Sequence, residues 1–530
     1  MNHKTSNRTE HTKKHNFIKE NYILIGILLL AACARLIGLD SLPDGVLPDE
    51  AYGAYNAYSL MREGIDSRGY TYPVYFVAWG SGMSVLYSYL AVPLMRLFGT
   101  AIAVYRIPQA AVGIASVYAM YHLGKDLFDK KMGYLLAFVL AINPWHIMNT
   151  RFGLDANMAP GLFVIALCFL VKGVKRNHKY LILAAVFLGG VLYCYALSWI
   201  MVPVFLVLAL IVYYKRIPRT WYTVLFVALL FGMALPLLLF VGINLRLLPE
   251  IRTEFFSIPK LPGFRGEELD MTHILDGMKA LGGILLHQYD GVEYTASKMV
   301  GAYYLFTTPF MIIGIIAHVI SFVKGRKECK KGECELHFVF LIWLLSAFLM
   351  SILNENITII HVNLIHIPLI FYGAYGIWQL AEWWKNKMIL PVCIAFWCVS
   401  FVMFYYQYAT EPTTYFFDER ADEIIEVAKE AAGDGMVTLV GYTTIKYSNL
   451  FWHEKPSAAH YSANVVYTGL PAWAEMESYG QFRYINTTEE AVEPGVYIIP
   501  VEPRGYEEDL RHKGFDIQSV NDRFSLAIKK

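Results

Sequence analysis

The sequence predicts a polytopic α-helical membrane protein carrying a small α/β domain at its C-terminal end. Two observations predict the membrane part. The chain of 530 residues is 56% hydrophobic and 15% aromatic, and its mean hydropathy is positive, +0.40. Only 17% of its residues are charged, against roughly 25% in an ordinary soluble protein. The third observation concerns residues 411–530. There the long apolar runs stop, and an amphipathic stretch, 418–432, precedes three β-rich runs. The net charge of +1 excludes nucleic acid as a partner attracted by bulk electrostatics.

A basic tail, residues 1–21 with Lys4, Arg8, Lys13, Lys14 and Lys19, precedes the first apolar run, 22–39. That run is longer than a signal peptide needs and ends in Gly38-Leu39-Asp40 without a small-x-small cleavage site, so it reads as a retained anchor. The further candidate spans are 107–123, 134–149, 158–172, 180–197, 200–214, 221–241, 300–323, 336–353, 364–381 and 388–408. Together they make about eleven helices by hydropathy and loop charge. Residues 82–98 are nearly apolar enough to add one. Leaving them out places Lys125/Lys130/Lys131, Lys172/Lys175/Arg176/Lys179, Lys215/Arg216/Arg219, Lys324/Arg326/Lys327/Lys330/Lys331 and Lys385/Lys387 all on the cytoplasmic side, as the positive-inside rule asks. Residues 82–98 therefore read as an interfacial helix within one long outer loop, 40–106.

The same count makes 242–299 a second outer loop, containing Glu250, Glu254, Glu267, Glu268, Asp270, Asp276, Asp290 and Glu293. Residues 22–410 form the membrane domain and 411–530 an outer domain. In that outer domain, 418–432 reads as a helix with Ile424, Ile425, Val427 and Ala428 on its apolar side. Residues 436–440, 496–500 and 524–528 read as strands. Of seven cysteines, five lie in apolar runs, and Cys329 and Cys334 fall in a lysine-rich loop. None falls in the expected outer regions, so no disulfide framework is expected. A zinc site from Cys329, Cys334 and His337 lacks the second Cys pair that such sites use.

With this sidedness, four polar groups distant in sequence meet at one membrane face. They are Asp49-Glu50 after the first span, and Arg106 in Val104-Tyr105-Arg106-Ile107-Pro108. The others are Arg151 with Asp155 in Asn149-Thr150-Arg151-Phe152-Gly153-Leu154-Asp155-Ala156-Asn157, and His361 with Asn363 after Asn354-Glu355-Asn356. Each has an ordinary reading. The acids are loop residues, the arginines snorkel to headgroups, Arg151 and Asp155 form an intrahelical pair, and His361 and His146 are structural. Together they suit sugar transfer from a polyprenyl-phosphate carrier. A carboxylate removes the acceptor's hydroxyl proton, and planar guanidinium groups match the leaving phosphate. The site also lies at headgroup depth, where the carrier's tail holds it.

The acidic pair after the first helix, the Arg-x-Pro opening the second and the Arg-x-x-x-Asp-x-Asn after the third resemble the GT-C superfamily of membrane glycosyltransferases. The pattern is most similar to glycosyltransferase family 39, the protein O-mannosyltransferase and aminoarabinose transferase group, over roughly residues 22–380. The resemblance implies an inverting enzyme that uses a polyprenyl-phosphate sugar on the outer face of the cell membrane. Asp49 is then the base, Glu50 its neighbour, Arg106 the arginine opening the second helix, and Asp155 the second acidic position. His361 and Asn363 match a late polar loop. The acceptor is a protein, glycan or cell-wall polymer. No MIR-type insertion occupies 242–299, which counts against a eukaryotic-style protein acceptor. No cofactor is expected; a divalent cation would use Asp49 and Asp155. The competing readings are a transporter and a non-catalytic surface-polysaccharide assembly protein. A transporter puts charges at the bilayer midplane in duplicated halves, whereas here the charges sit at helix ends and no duplication is visible.

Overall fold

A computed structural model describes residues 21–264, 274–353, 357–411, 417, 420–441, 445–468, 475–502 and 505–529. The basic tail and Glu267, Glu268, Asp270, Asn354-Glu355-Asn356 and Asp418 lie outside them.

Helix α1 (Asn21–Leu36) leads through a loop to α2 (Pro48–Glu63). A hairpin follows, β1 (Tyr75–Ala78) and β2 (Ser81–Ser84), then α3 (Leu86–Phe98), α4 (Ile102–Leu127), α5 (Lys130–Ile142), α6 (Pro144–Asn149), α7 (Asp155–Lys175), α8 (Tyr180–Leu192), α9 (Ser198–Tyr213) and α10 (Trp221–Asn244). A small hairpin, β3 (Ile251–Arg252) and β4 (Ser257–Ile258), precedes α11 (Ile274–His287), α12 (Thr308–Lys324), α13 (Arg326–Lys331), α14 (Val339–Ser351), α15 (His366–Trp384) and α16 (Ile389–Thr410). Six helical segments among the described residues are long and apolar enough to cross a membrane. They are Ile102–Leu127, Asp155–Lys175, Trp221–Asn244, Leu305–Lys324, Asn363–Trp384 and Ile389–Thr410. Shorter apolar helices, α1, α3, α8, α9 and Leu336–Ser351, accompany them.

Three expectations are corrected. The run 134–149 is two helices, because Pro144 lacks an N–H to continue α5 and the Asn143 side chain caps α6, accepting from His146 N at 3.0 Å. The interfacial helix begins at Leu86 rather than residue 82. Its first expected turn is strand β2, paired with β1 in the register Tyr75↔Ser84 to Ala78↔Ser81. Cys329 and Cys334 are joined by a disulfide; the turn closing α13 at Gly332 in the left-handed region folds one cysteine onto the other. His337 pairs instead with His318, their ring nitrogens 2.8 Å apart.

The C-terminal residues build α17 (Ala421–Ala432), β5 (Val437–Val440), α18 (Tyr447–Glu454), α19 (Ala458–Asn464), β6 (Val466–Tyr467), β7 (Met476–Tyr479), β8 (Phe482–Ile485), β9 (Gly495–Pro500), α20 (Tyr506–His512), β10 (Asp516–Ser519) and β11 (Phe524–Lys529). The strands form one sheet in the order β10-β11-β9-β5-β8-β7-β6. β5 is parallel to both β8 and β9; the other pairs are antiparallel. Alternation sorts the strand residues onto two faces. Val437, Leu439, Val496, Ile498, Phe524 and Leu526 pack with α17 and with Leu450 and Phe451 of α18. Val440, Tyr497, Ile499 and Ala527 pack with Leu510 of α20.

The first of these two cores continues into Tyr52 and Tyr55 of α2, Phe76, Ala78 and Met83 of the first hairpin, and Phe152. Glu63 at the end of α2 accepts Ala458 N at 3.0 Å and Ala459 N at 2.9 Å, capping α19. Asn449 Nδ2 donates to Val46 O at 2.7 Å and Tyr55 Oη to Pro456 O at 3.1 Å. The C-terminal domain thus sits on the loop that carries the acidic pair.

Candidate active site

Pro48 opens α2 at a position where its missing N–H costs nothing. Asp49 and Glu50 occupy the first turn, where the unsatisfied amides and the helix dipole favour negative charge. The two carboxylates then diverge. Glu50 is fully buried. Arg106 grips it by two parallel bonds, Nε to Oε1 at 2.8 Å and Nη2 to Oε2 at 2.8 Å, and Gly153 N donates to Oε1 at 2.6 Å. The remaining N–H groups of Arg106 go to Leu39 O at 3.1 Å, Pro43 O at 2.9 Å and Gly45 O at 2.8 Å. All five guanidinium hydrogens are therefore spent within the protein, and none is left for a phosphate. The pair pins the α1–α2 and α6–α7 loops to one point, a role for which Arg's planar fork is suited.

Arg151 is also fully buried. Its Nη1 donates to Ala34 O at 2.8 Å, its Nη2 to Ile37 O at 2.7 Å and Gly38 O at 2.8 Å, and its Nε to Leu42 O at 2.9 Å. It satisfies carbonyls at the C-terminal end of α1, as cations at helix ends do. It does not pair with Asp155. His146 accepts from Arg35 Nη2 at Nδ1, 2.6 Å away, and its Nε2 lies 3.1 Å from Ser116 Oγ, a structural placement.

Asp49 is half-buried, and the indole N–H of Trp79 donates to its Oδ1 at 2.7 Å. Trp79 and Gly80 form the two-residue turn between β1 and β2, with φ of 53° and 73°. Such turns match the strands' twist but ask positive φ of both residues. Asp155, first residue of α7, accepts Ser84 N at 2.8 Å and Ala156 N at 2.7 Å. One hairpin thus holds both acids, Asp49 from its tip and Asp155 from its last residue. Asn363 Nδ2 donates to Ala156 O at 2.5 Å, while its Oδ1 is buried without a partner. His361 is half-buried nearby in sequence, its backbone N–H 3.3 Å from Thr358 Oγ1.

Five groups here were given no role from the sequence. Trp79 carried a weak signal, a Trp-Gly pair between two short β-favouring runs. Asn157, third member of the Arg-x-x-x-Asp-x-Asn run, is buried with neither side-chain atom partnered. Arg68 has buried Nε and Nη2 groups without hydrogen-bond partners, and its guanidinium carbon lies 3.7 Å from the ring centre of Tyr467. Tyr447 packs on Trp79 with ring centres 4.8 Å apart and carries a buried hydroxyl without a partner. Beside Arg68, Asp66 accepts Arg68 N at 2.9 Å and Tyr70 N at 2.8 Å through Oδ1, and its other oxygen is unpartnered. Burial pushes the Asp66 carboxyl up to about 7 against those backbone bonds. Unpartnered buried polar atoms are few in folded proteins and each calls for a reason.

Asp49 and Asp155 carry carboxylate oxygens of the kind a hard divalent cation takes, and both oxygens of Asp155 already accept backbone N–H groups. Among the described residues, a cluster of three possible ligands within 4.8 Å occurs elsewhere, at Glu426, His453 and Glu454. Lys429 Nζ already sits there, 2.7 Å from Glu454 and 3.5 Å from Glu426.

Residues 83–240 match the family model for dolichyl-phosphate-mannose-protein mannosyltransferase. Among solved structures, ArnT from Cupriavidus metallidurans bound to undecaprenyl phosphate aligns over 96% of this chain and 98% of its own, with 11% identity and a TM-score of 0.60. The Archaeoglobus fulgidus oligosaccharyltransferase in complex with Zn and sulfate aligns over 82% of this chain with 13% identity and a TM-score of 0.55. This chain spans only 61% of that protein's length. No curated protein matches the sequence. The fold is of the GT-C type, and the resemblance to that superfamily holds.

Proposed function

We propose that this chain is a GT-C glycosyltransferase that moves a sugar from a polyprenyl-phosphate donor to an acceptor hydroxyl at the outer face of a membrane. The observation that carries the reading is the division of labour within the acidic pair. Glu50 is locked in a buried ion pair with Arg106, and Asp49 beside it stays half-buried, oriented by the Trp79 indole. A positioned carboxylate in that setting suits a general base. In the reaction, Asp49 takes the acceptor's hydroxyl proton as the acceptor oxygen bonds to the anomeric carbon from the face opposite the phosphate. The carbon–oxygen bond to phosphate breaks with its electron pair on the leaving polyprenyl phosphate, and the anomeric centre inverts. ArnT bound to undecaprenyl phosphate and the archaeal AglB in complex with a dolichol-phosphate support a carrier of that class.

Arg106 and Arg151 hold the scaffold, and Arg68, with two unpaired N–H groups, is the cation offered to the leaving phosphate. Asp155, Asn157 and Asn363 line the acidic side, where the hairpin and the start of α7 meet. A divalent cation held by Asp49 and Asp155 would add positive charge toward the phosphate. Asp49→Asn tests the reading: the protein should fold and elute as the parent does, and release of polyprenyl phosphate from a purified prenyl-phosphate sugar should fall by about three orders of magnitude, the middle of the range for losing a positioned base. Near-parental release by that variant would refute Asp49 as the base.

A further inference from the structure

The C-terminal sheet contains a cleft that the proposed transfer chemistry does not use. Its volume is about 310 Å³, and its lining includes Gly441, Lys446, Tyr447, Glu475, Glu477 and Asn486. It opens beyond the carboxyl ends of β5 and β8, because Gly441 follows β5 and Asn486 follows β8. The chain leaving β5 runs toward the β6–β7 edge, whereas the chain leaving β8 crosses back to β9 on the other side of β5. Adjacent parallel strands whose connections diverge leave a crevice at their carboxyl ends, where open α/β sheets bind ligands.

The lining chemistry restricts the occupant. Glu475, Glu477 and Glu490 face one lysine, Lys446, whose Nζ lies 3.4 Å from Glu475. The surplus of carboxylate repels phosphate and carboxylate groups. Carboxylate oxygens accept from hydroxyls, and the Asn486 amide both donates and accepts. Tyr447 also lines the cleft, almost fully buried, with its hydroxyl withdrawn from the cleft. Its ring leans on Trp79, the residue that donates to Asp49. Two aromatic rings, Tyr447 and Trp79, therefore link the cleft wall to the proposed base.

We propose that this cleft binds a saccharide free of phosphate and carboxylate, and that this saccharide is part of the acceptor presented to Asp49. Its assignment as acceptor rests on the transfer reading; the binding itself does not. The test uses the full chain in detergent, titrated with maltopentaose and chitotetraose and followed by tryptophan fluorescence and calorimetry, with tetragalacturonate as the anionic comparator. Saturable binding of a neutral saccharide is expected at millimolar Kd or tighter. About tenfold weakening is expected in Glu477→Ala and Asn486→Ala, whose exposed side chains make unfolding an unneeded explanation, together with no saturation by tetragalacturonate. Asp49→Asn should bind as the parent does. If transfer fails throughout while binding and its loss in the variants persist, the cleft stands and the transfer reading falls. Absence of saturation by both neutral saccharides, binding indifferent to both variants, or equal binding of tetragalacturonate would overturn the proposal.

Discussion

Glu50 and Asp49 are adjacent in sequence and opposite in consequence. Glu50 with Arg106 is a buried, bidentate pair with every guanidinium hydrogen used. Removing one partner of such a pair strands the other charge, at about 3–5 kcal/mol. Glu50→Gln should lower thermal stability in detergent by that order, whereas Asp49→Asn should leave it near the parent's; equal unfolding temperatures for the two would contradict the division. Asp66 adds a pH dependence. Its folded pKa is raised to about 7 by burial, so its protonated form is the one the fold prefers. Its contribution is full below the unfolded value, near 3.8, and is lost as pH rises through about 7. Unfolding temperature should therefore fall between pH 4 and 7 more steeply in the parent than in Asp66→Asn, whose amide cannot titrate.

At the scale of elements, the acidic pair, Arg106, Arg151 and Asp155 were legible because each motif lies at a helix start, where a polar residue interrupts an apolar run. What was not legible is who bonds whom. Arg151 reads as a partner for Asp155 four residues on, yet it caps α1, far back in the sequence. The end of the hairpin that holds Asp49 and Asp155, Gly82 to Ser84, was hidden at the start of a run apolar enough to pass for helix, since short apolar stretches suit strand and helix alike. Helix contacts were equally invisible. α12 and α15 cross at Gly314 and Gly376, where a Cβ on Gly376 would meet Phe310 O at 1.9 Å and one on Gly314 would meet Tyr372 O at 2.4 Å. Small residues permit that approach. Gly376→Ala should force the helices apart, and overpacking of this kind costs about 1–3 kcal/mol or more, read as a lowered unfolding temperature with Gly282→Ala, in open space, as the neutral control.

For the whole molecule, sidedness is the property on which the proposed chemistry depends. On the loop-charge expectation, α13 lies in the cytoplasm and Asp49, Asp155 and the C-terminal sheet lie outside. The Cys329–Cys334 disulfide is of a kind that oxidising compartments favour, so the two indicators pull apart, and labelling decides between them. After mild reduction of intact cells, a membrane-impermeant maleimide should fail to reach Cys329 until the membrane is opened, while a cysteine placed at exposed Glu477 should react at once. Failure of the cysteine at position 477 to react in intact cells would remove the common outer face, and labelling of Cys329 there would place the α13 loop outside as well.

Composition and local pattern suffice for the apolar helices, the α/β tail and the polar residues at helix ends, because hydropathy and periodicity act over a few turns of chain. Tertiary structure alone decided that both arginines first set against a phosphate are consumed within the scaffold, that Trp79 holds Asp49, and that Tyr447 of the C-terminal domain packs on Trp79. A guanidinium has five hydrogens to place, and where they go depends on carbonyls and carboxylates brought together from loops a hundred residues apart.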